Sequence, residues 1–453
     1  MTSNFLHPLA LTLLAVGTCH LEAVEPTTLA QNAITAAKAL PQGGIVIGET
    51  LSSGTVFSTA GKLEPAGVAP EKLIFEIGSV SKVFTGLLLA QAVVGKKLSL
   101  ETPIRDLVDK GFRFADPKVG AITLRQLATH TSGLPRLPDN LMDSDEADPL
   151  NPYAHYDRAM LAACLANLKL EGDGPYSAVY SNLGAGLLGE LLARIYGKTW
   201  EELVVERIAK PLDMLDTVVA LSDEQSKRFV PAYAGSAKVK PWTDMAMAGA
   251  GALRSTAEDM MKFGKALAKP ENSVMKDAIE LLKSPQSDGS IGLFVQILKL
   301  RNGKLGHWMA GGTGGFSSWL SLRSHDSRIV VILCNNSECN PEEIISGKPL
   351  TPVAKGPADP ALAEFVGEYD TGVKAADTAI HYRFEARGAE LWMQVTGQPA
   401  VPLGKHATKK DRFMFAPANA EIQFTRDDDK VVSTTLFQAG MEIKAKKLND
   451  AKP

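Results

Sequence analysis

Hydrophobic positions run in two rhythms along this chain. From Phe75 to Gly95 ("FEIGSVSKVFTGLLLAQAVVG") apolar residues fall on nearly every helical face, and no charge follows Lys82 until Lys96. That run predicts a buried helix over Ser79–Gly95. Upstream, "QNAITAAKAL" (Gln31 to Leu40) predicts another helix, and "GGIVIGET" with "GTVFSTAGKL" predicts two strands turning near Ser52–Gly54. From about Thr102 to Ser290 the pattern is mainly helical. Thr123 opens "TLRQLATH", and capping boxes are expected at Thr199 with Glu202 and at Ser255 with Glu258. A Pro/Asp-rich stretch, Leu134 to Pro152, interrupts this region, and loops of that length often form lids or rims. Strands return at "LGHWMAGG", "FSSWLSLRS" and "RIVVILCNN".

The second rhythm has period two. Beyond "SGKPLTPVAKGPADP", Ile380, Tyr382 and Phe384 alternate with His381, Arg383 and Glu385, and Ile422 and Phe424 alternate with Glu421 and Gln423. Such runs predict an antiparallel sheet or small barrel. The fold class expected is therefore α+β: one domain of strands with a helical insertion, then a β-domain. The boundaries read as a leader at 1–23, a first domain at 24–345, a linker at 346–360 and the β-domain at 361–453.

At 453 residues the chain exceeds what one core usually holds. A net charge of −3 without a long basic run argues against nucleic acid or an anionic membrane surface as partner. "LALTLLAVG" followed by "HLEAVEP" fits a secretory apolar core with cleavage near Ala23, although "MTSNFLH" has no Lys or Arg. The run is too short to span a bilayer. The expected location is periplasmic or secreted, with lipidation at Cys19 the lesser alternative. Cys334 and Cys339 could close a local bridge or stay as thiols. No spacing suggests zinc, and no metal or cofactor is expected.

The candidate chemistry explains the charge at the head of the apolar run. Ser79-Val80-Ser81-Lys82 is an S-x-x-K, and on a helix i and i+3 share a face. Lys82 would then place its amine beside the Ser79 hydroxyl and take its proton if burial keeps the amine neutral. The motif recurs at Ser273–Lys276 in a polar segment, which reads as surface, and Ser81 is a rival nucleophile with Phe84 at i+3. Tyr180-Ser181-Asn182 is the only Y-x-N in the chain. A tyrosine beside a cation can favour its phenolate, and an asparagine offers both a donor and an acceptor. The plainer alternative is a loop tyrosine and a helix-capping asparagine. "GHWMAGGTGGFSSWL" lets backbone approach a ligand, so the Gly312 N–H is a candidate second oxyanion donor beside that of Ser79, the plainer alternative being a Gly-rich turn between two strands. Thr313 joins it as a candidate binding residue.

In this order and spacing the three motifs resemble the serine β-lactamase and penicillin-binding-protein superfamily. The class C branch, with its family VIII esterases and D-aminopeptidases, is the most similar. Supporting stretches are "ITLRQLATHTSGLP", "YSNLGAGLLGELLARIYGKTW" and "AGAGALRSTAEDMMKF". The resemblance implies a transpeptidase-like domain and a small-barrel or lipocalin-like appendage. It also implies Ser79 as nucleophile, Lys82 as proton acceptor, Tyr180 as general base and Asn182 as holder of a substrate amide. A serine hydrolase acting on an ester, amide or β-lactam follows, with a small molecule or short peptide as substrate. The rival class is a non-catalytic binder of a peptidoglycan-like ligand in the same cleft. The chain departs from the family at Met309, where Lys or His is usual. His307, two residues earlier on the same strand face, is a candidate partial substitute, the plainer alternative being a surface or loop histidine.

Overall fold

A computed structural model describes residues 26–148, 151–243, 246–347, 359–375, 378–395, 401–406, 408–415, 420–438 and 441–448. The expected leader with Cys19, and most of the expected linker, lie outside the described residues. The chain divides into two compact units, one over Cys19–Leu141 and Tyr153–Gly347 and one centred on Lys348–Pro453. Among the described residues no helix is long and apolar enough to cross a membrane.

In the first unit, helix α1 (Pro26–Ala39) precedes β1 (Gly44–Leu51) and β2 (Gly54–Gly61). The insertion carries α2 (Ser81–Val94), α3 (Asn182–Tyr196) and α4 (Ala257–Ala268). Strands β3 (Gln296–Lys299), β4 (Leu305–Gly312), β5 (Ser317–Arg323) and β6 (Arg328–Cys334) follow. They form one antiparallel six-stranded sheet in the order β2-β1-β6-β5-β4-β3. The sheet thus joins residues from both ends of the unit, with Ile45 opposite Cys334 and Ile47 opposite Ile332.

Helix α2 is held by its apolar side chains. Val83, Phe84, Leu87, Leu88 and Leu89 are fully buried, each worth ~1.5–3 kcal/mol relative to exposure. Phe84 stacks on Phe263 of α4 with ring centroids 4.1 Å apart. The predicted helix begins two residues late. Gly78–Val80 forms a 3₁₀ turn, and the α-helix proper starts at Ser81. A second correction concerns α4. Its N-cap is Thr256, which accepts from Asp259 N, rather than Ser255 with Glu258. Ser255 is drawn into a short strand, Arg254–Thr256, that pairs with Ile74–Glu76, so the ladder takes the residue the cap was expected to use. The box at Thr199 and Glu202 forms as predicted.

The second unit is a closed eight-stranded antiparallel barrel running from Gly367 to Lys447. Ile380, Tyr382 and Phe384 point inward to join Tyr369, Phe413 and Phe424 in its core. Period-two alternation therefore reads out as the inside and outside of a barrel. Strand Gly367–Ala375 closes the cylinder against Met441–Lys447, with Tyr369 opposite Lys447. Arg426 ties its rim by bonds to Glu364 and Asp411.

Candidate active site

Lys82 is carried into the interior by α2 and is 0% exposed. A buried amine must be satisfied by partners. Its Nζ donates to Ser79 Oγ at 3.1 Å, to Asn182 Oδ1 at 2.8 Å and to the Ala250 carbonyl at 2.6 Å. Tyr180 Oη lies 2.6 Å from the same Ser79 Oγ. Ser79 is thus met by an amine from its own turn and by a phenol from far along the chain. Of the rival serines, Ser81 is buried and turned away, its Oγ accepting from Leu253 N at 3.1 Å.

Asn182 opens α3, but the cap is Ser181, whose Oγ bonds Gly184 N at 2.9 Å. That frees the Asn182 amide. Its Oδ1 holds Lys82, and its Nδ2 donates to Tyr153 Oη at 2.9 Å. Tyr153 packs edge-on to Trp242, ring centroids 5.5 Å apart. In this state Asn182 positions Lys82, and a substrate amide has to compete for it.

The glycine-rich strand end is pressed against the Ser79 turn. Gly78 has φ +49°, and a Cβ there would stand 2.7 Å from both N and O of Gly312. A Cβ on Gly311 would meet the Ile77 carbonyl at 2.1 Å and Ser79 N at 3.0 Å. No side chain fits between these backbones. Thr313 N bonds the Phe316 carbonyl at 3.0 Å, and Gly312 pairs with Ser317. Antiparallel pairs alternate between bonded and non-bonded, so Gly312 N–H faces away from β5, toward the Gly78–Ser79 turn. Thr313 turns inward, its hydroxyl beside the buried Glu76 carboxyl in an electrostatic contact rather than a formed hydrogen bond.

The electrostatics differ from expectation at two residues. Burial pushes Tyr180 up to about 12, against the lowering effects of its Ser79 bond and of the Arg136 charge. At pH 7 that leaves about 10⁻⁵ of the group as phenolate, so no standing phenolate occupies the site. His307 does not supply the charge missing at Met309 either. It is 6% exposed, with Nε2 3.2 Å from the Lys283 carbonyl, and burial followed by the Lys283 charge pushes it down to about 4. It is neutral at pH 7 and engaged away from Ser79. Met309 is buried at 3% exposure, so the strand contributes no charge from either residue.

Sequence reasoning missed two side chains around Tyr180, and Tyr153 beside Asn182. His130 packs on its ring, centroids 4.6 Å apart, and its Nδ1 accepts from Ser181 N at 3.2 Å. Burial, then the Lys82 and Arg136 charges, push His130 down to about 3. Arg136 lies over the same ring, Cζ 5.1 Å from its centre. It falls in the long loop read as a lid or rim, and Tyr153 follows that loop directly. That loop was the available signal. Among the described residues no cluster of three His, Cys, Asp or Glu side chains could hold a metal. Cys164, Cys334 and Cys339 are free, so the local bridge is not formed.

A family model described as "Beta-lactamase" matches residues 36–345. The chain belongs to the beta-lactamase family. Within it, the D-alanyl-D-alanine-carboxypeptidase/endopeptidase AmpH of Escherichia coli K12 is 30% identical over 210 residues, 46% of this chain and 53% of that protein. Penicillin-binding protein 4* of Bacillus subtilis 168 is 24% identical over 428 residues, 82% of this chain and 87% of that one. The chain spans about half the length of the first curated relatives it matches. The solved class C beta-lactamase of Rhodobacter sphaeroides superposes with a TM-score of 0.60 at 21% identity, covering 71% of this chain and 97% of that one. That likeness establishes the beta-lactamase fold of the first unit.

Proposed function

We propose that this member of the beta-lactamase family is a serine hydrolase working through a Ser79 acyl-enzyme. The observation that carries the reading is the convergence of Lys82 Nζ at 3.1 Å and Tyr180 Oη at 2.6 Å on one serine oxygen. A hydroxyl becomes a nucleophile when something takes its proton as it attacks. Lys82 accepts it in the amine form. Tyr180, whose phenolate is scarce, gives its own proton to the leaving group and is reprotonated by the Lys82 ammonium, so the proton lost by Ser79 is matched by the one the leaving group gains. Ser79 N–H and Gly312 N–H receive the developing oxyanion. A water replaces the leaving group, and the same pair activates it to release the acid. A purely binding role would leave the burial of Lys82 against a serine without a purpose.

The substrate reading follows from Met309 and His307. A carboxylate beside the scissile bond gains a charge-assisted hydrogen bond from a Lys or protonated His. Met309 has no donor and His307 is neutral, so uncharged acyl esters or amides are favoured over β-lactams and terminal D-alanyl peptides. The leader-like N-terminal pattern supports action after export.

The test is labelling with a fluorophosphonate and a fluorescent penicillin, followed by peptide mapping and by kcat/KM for p-nitrophenyl butyrate and nitrocefin. Modification at Ser79 and preference for the ester are expected. Labelling of another serine would overturn the mechanism, and efficient nitrocefin turnover would overturn the substrate reading.

A further inference from the structure

Two basic side chains lie over the Tyr180 ring. Lys82 Nζ lies 4.8 Å from its ring centre, and Arg136 Cζ lies 5.1 Å from it. His130, packed on the same ring, is held neutral at pH 7 by its burial. Arg136 is not a loosely attached surface residue. Its carbonyl accepts from Asn182 N at 2.8 Å and Leu183 N at 3.2 Å. The backbone of Arg136 is therefore tied to the turn of α3 that presents Asn182 to Lys82. On the strand side the charge usual for the family is replaced by Met309.

We propose that Arg136 is the second cation of this site, assisting proton exchange through Tyr180. This rests on the reading of Tyr180 as the proton relay. The physical reason is differential stabilisation. Tyr180 is neutral in the resting site and gains anionic character as it hands its proton to the leaving group. A fixed guanidinium beside the ring interacts more strongly with that state than with the neutral phenol. Arg136 touches the relay rather than the reacting atoms, so it is a positioning residue. Its charge, more than its shape, is what the site uses.

The test places a fluorinated tyrosine at 180 in the full chain, which brings the phenol into a titratable range. The phenol is then followed by 19F NMR with Arg136, Arg136→Gln and Arg136→Lys. The Gln variant is expected to raise the midpoint by roughly one pH unit, and the Lys variant to leave it nearly in place. An unchanged midpoint in Arg136→Gln overturns the proposal, and this readout does not depend on turnover. In parallel, Arg136→Gln in the natural-tyrosine protein is expected to slow acylation roughly tenfold for both p-nitrophenyl butyrate and nitrocefin, with KM little changed. A loss confined to nitrocefin and seen as a raised KM would instead make Arg136 a carboxylate anchor, and would overturn the proposal. A wild-type protein that never acylates at Ser79 defeats the hydrolase reading, while the phenol midpoint still decides the role of Arg136.

Discussion

Tyr180 Oη sits 2.6 Å from Ser79 Oγ although 101 residues separate the two. Burial raises the phenol to about 12, so the contact joins a neutral phenol to a neutral alcohol. Tyr180→Phe keeps the ring against His130 and Arg136 and deletes only the oxygen. Acylation measured by stopped flow is expected to fall by ~10²–10⁴-fold, the usual size of acid–base assistance, with the melting temperature almost unchanged. Near-native acylation would leave Lys82 as the sole proton acceptor.

Ser79 and Ser81 should separate chemistry from stability. Ser79→Ala is expected to abolish labelling without unfolding the protein. Ser81→Ala leaves the Leu253 N–H without its buried acceptor, a cost of about 1–3 kcal/mol. Most of the acylation rate is expected to survive. Denaturant titration alongside labelling reads both, and loss of labelling in a folded Ser81→Ala would reverse the assignment.

Asn182→Ala removes the acceptor 2.8 Å from Lys82 Nζ and the donor to Tyr153. If Asn182 acts mainly by holding Lys82, acylation of a simple ester, which has no amide to bind, should drop roughly tenfold or more. An effect limited to amide substrates would instead point to direct substrate binding.

Glu76 carries a pH signature. Its carboxyl is buried, with Arg254 Nη2 3.6 Å away, and burial raises it to about 7 against the Arg254 charge. Its folded value exceeds the ordinary one of 4.5. Between those values the folded state binds more protons than the unfolded chain, so stability falls as pH rises through that window. The group's share is about 3 kcal/mol. Glu76→Gln stays neutral and is expected to flatten the loss between pH 5 and pH 8 in urea titrations. The same slope in the variant would place the titration elsewhere.

Gly78→Ala tests the close approach of the two backbones. A Cβ 2.7 Å from Gly312 N has no room, and φ +49° is unfavourable for alanine. The strand end must shift, so acylation should collapse while the barrel unit stays folded. Circular dichroism with acylation kinetics checks this, and a fully active variant would remove Gly312 from the oxyanion site.

The sequence by itself determined what depends on neighbours a few residues away. One turn of chain sets Lys82 beside Ser79, a capping box needs only Thr199 and Glu202, and period two sorts Ile380, Tyr382 and Phe384 to the inside of a barrel. Tertiary structure alone decided what depends on distant segments. It took Ser255 into a ladder with Phe75 and moved the cap to Thr256. It also turned His307 to the Lys283 carbonyl and set Arg136 and His130 around Tyr180. The expected phenolate failed for the same reason. A side chain's charge is set by the water it loses and the charges brought near it, and only packing of remote segments fixes both.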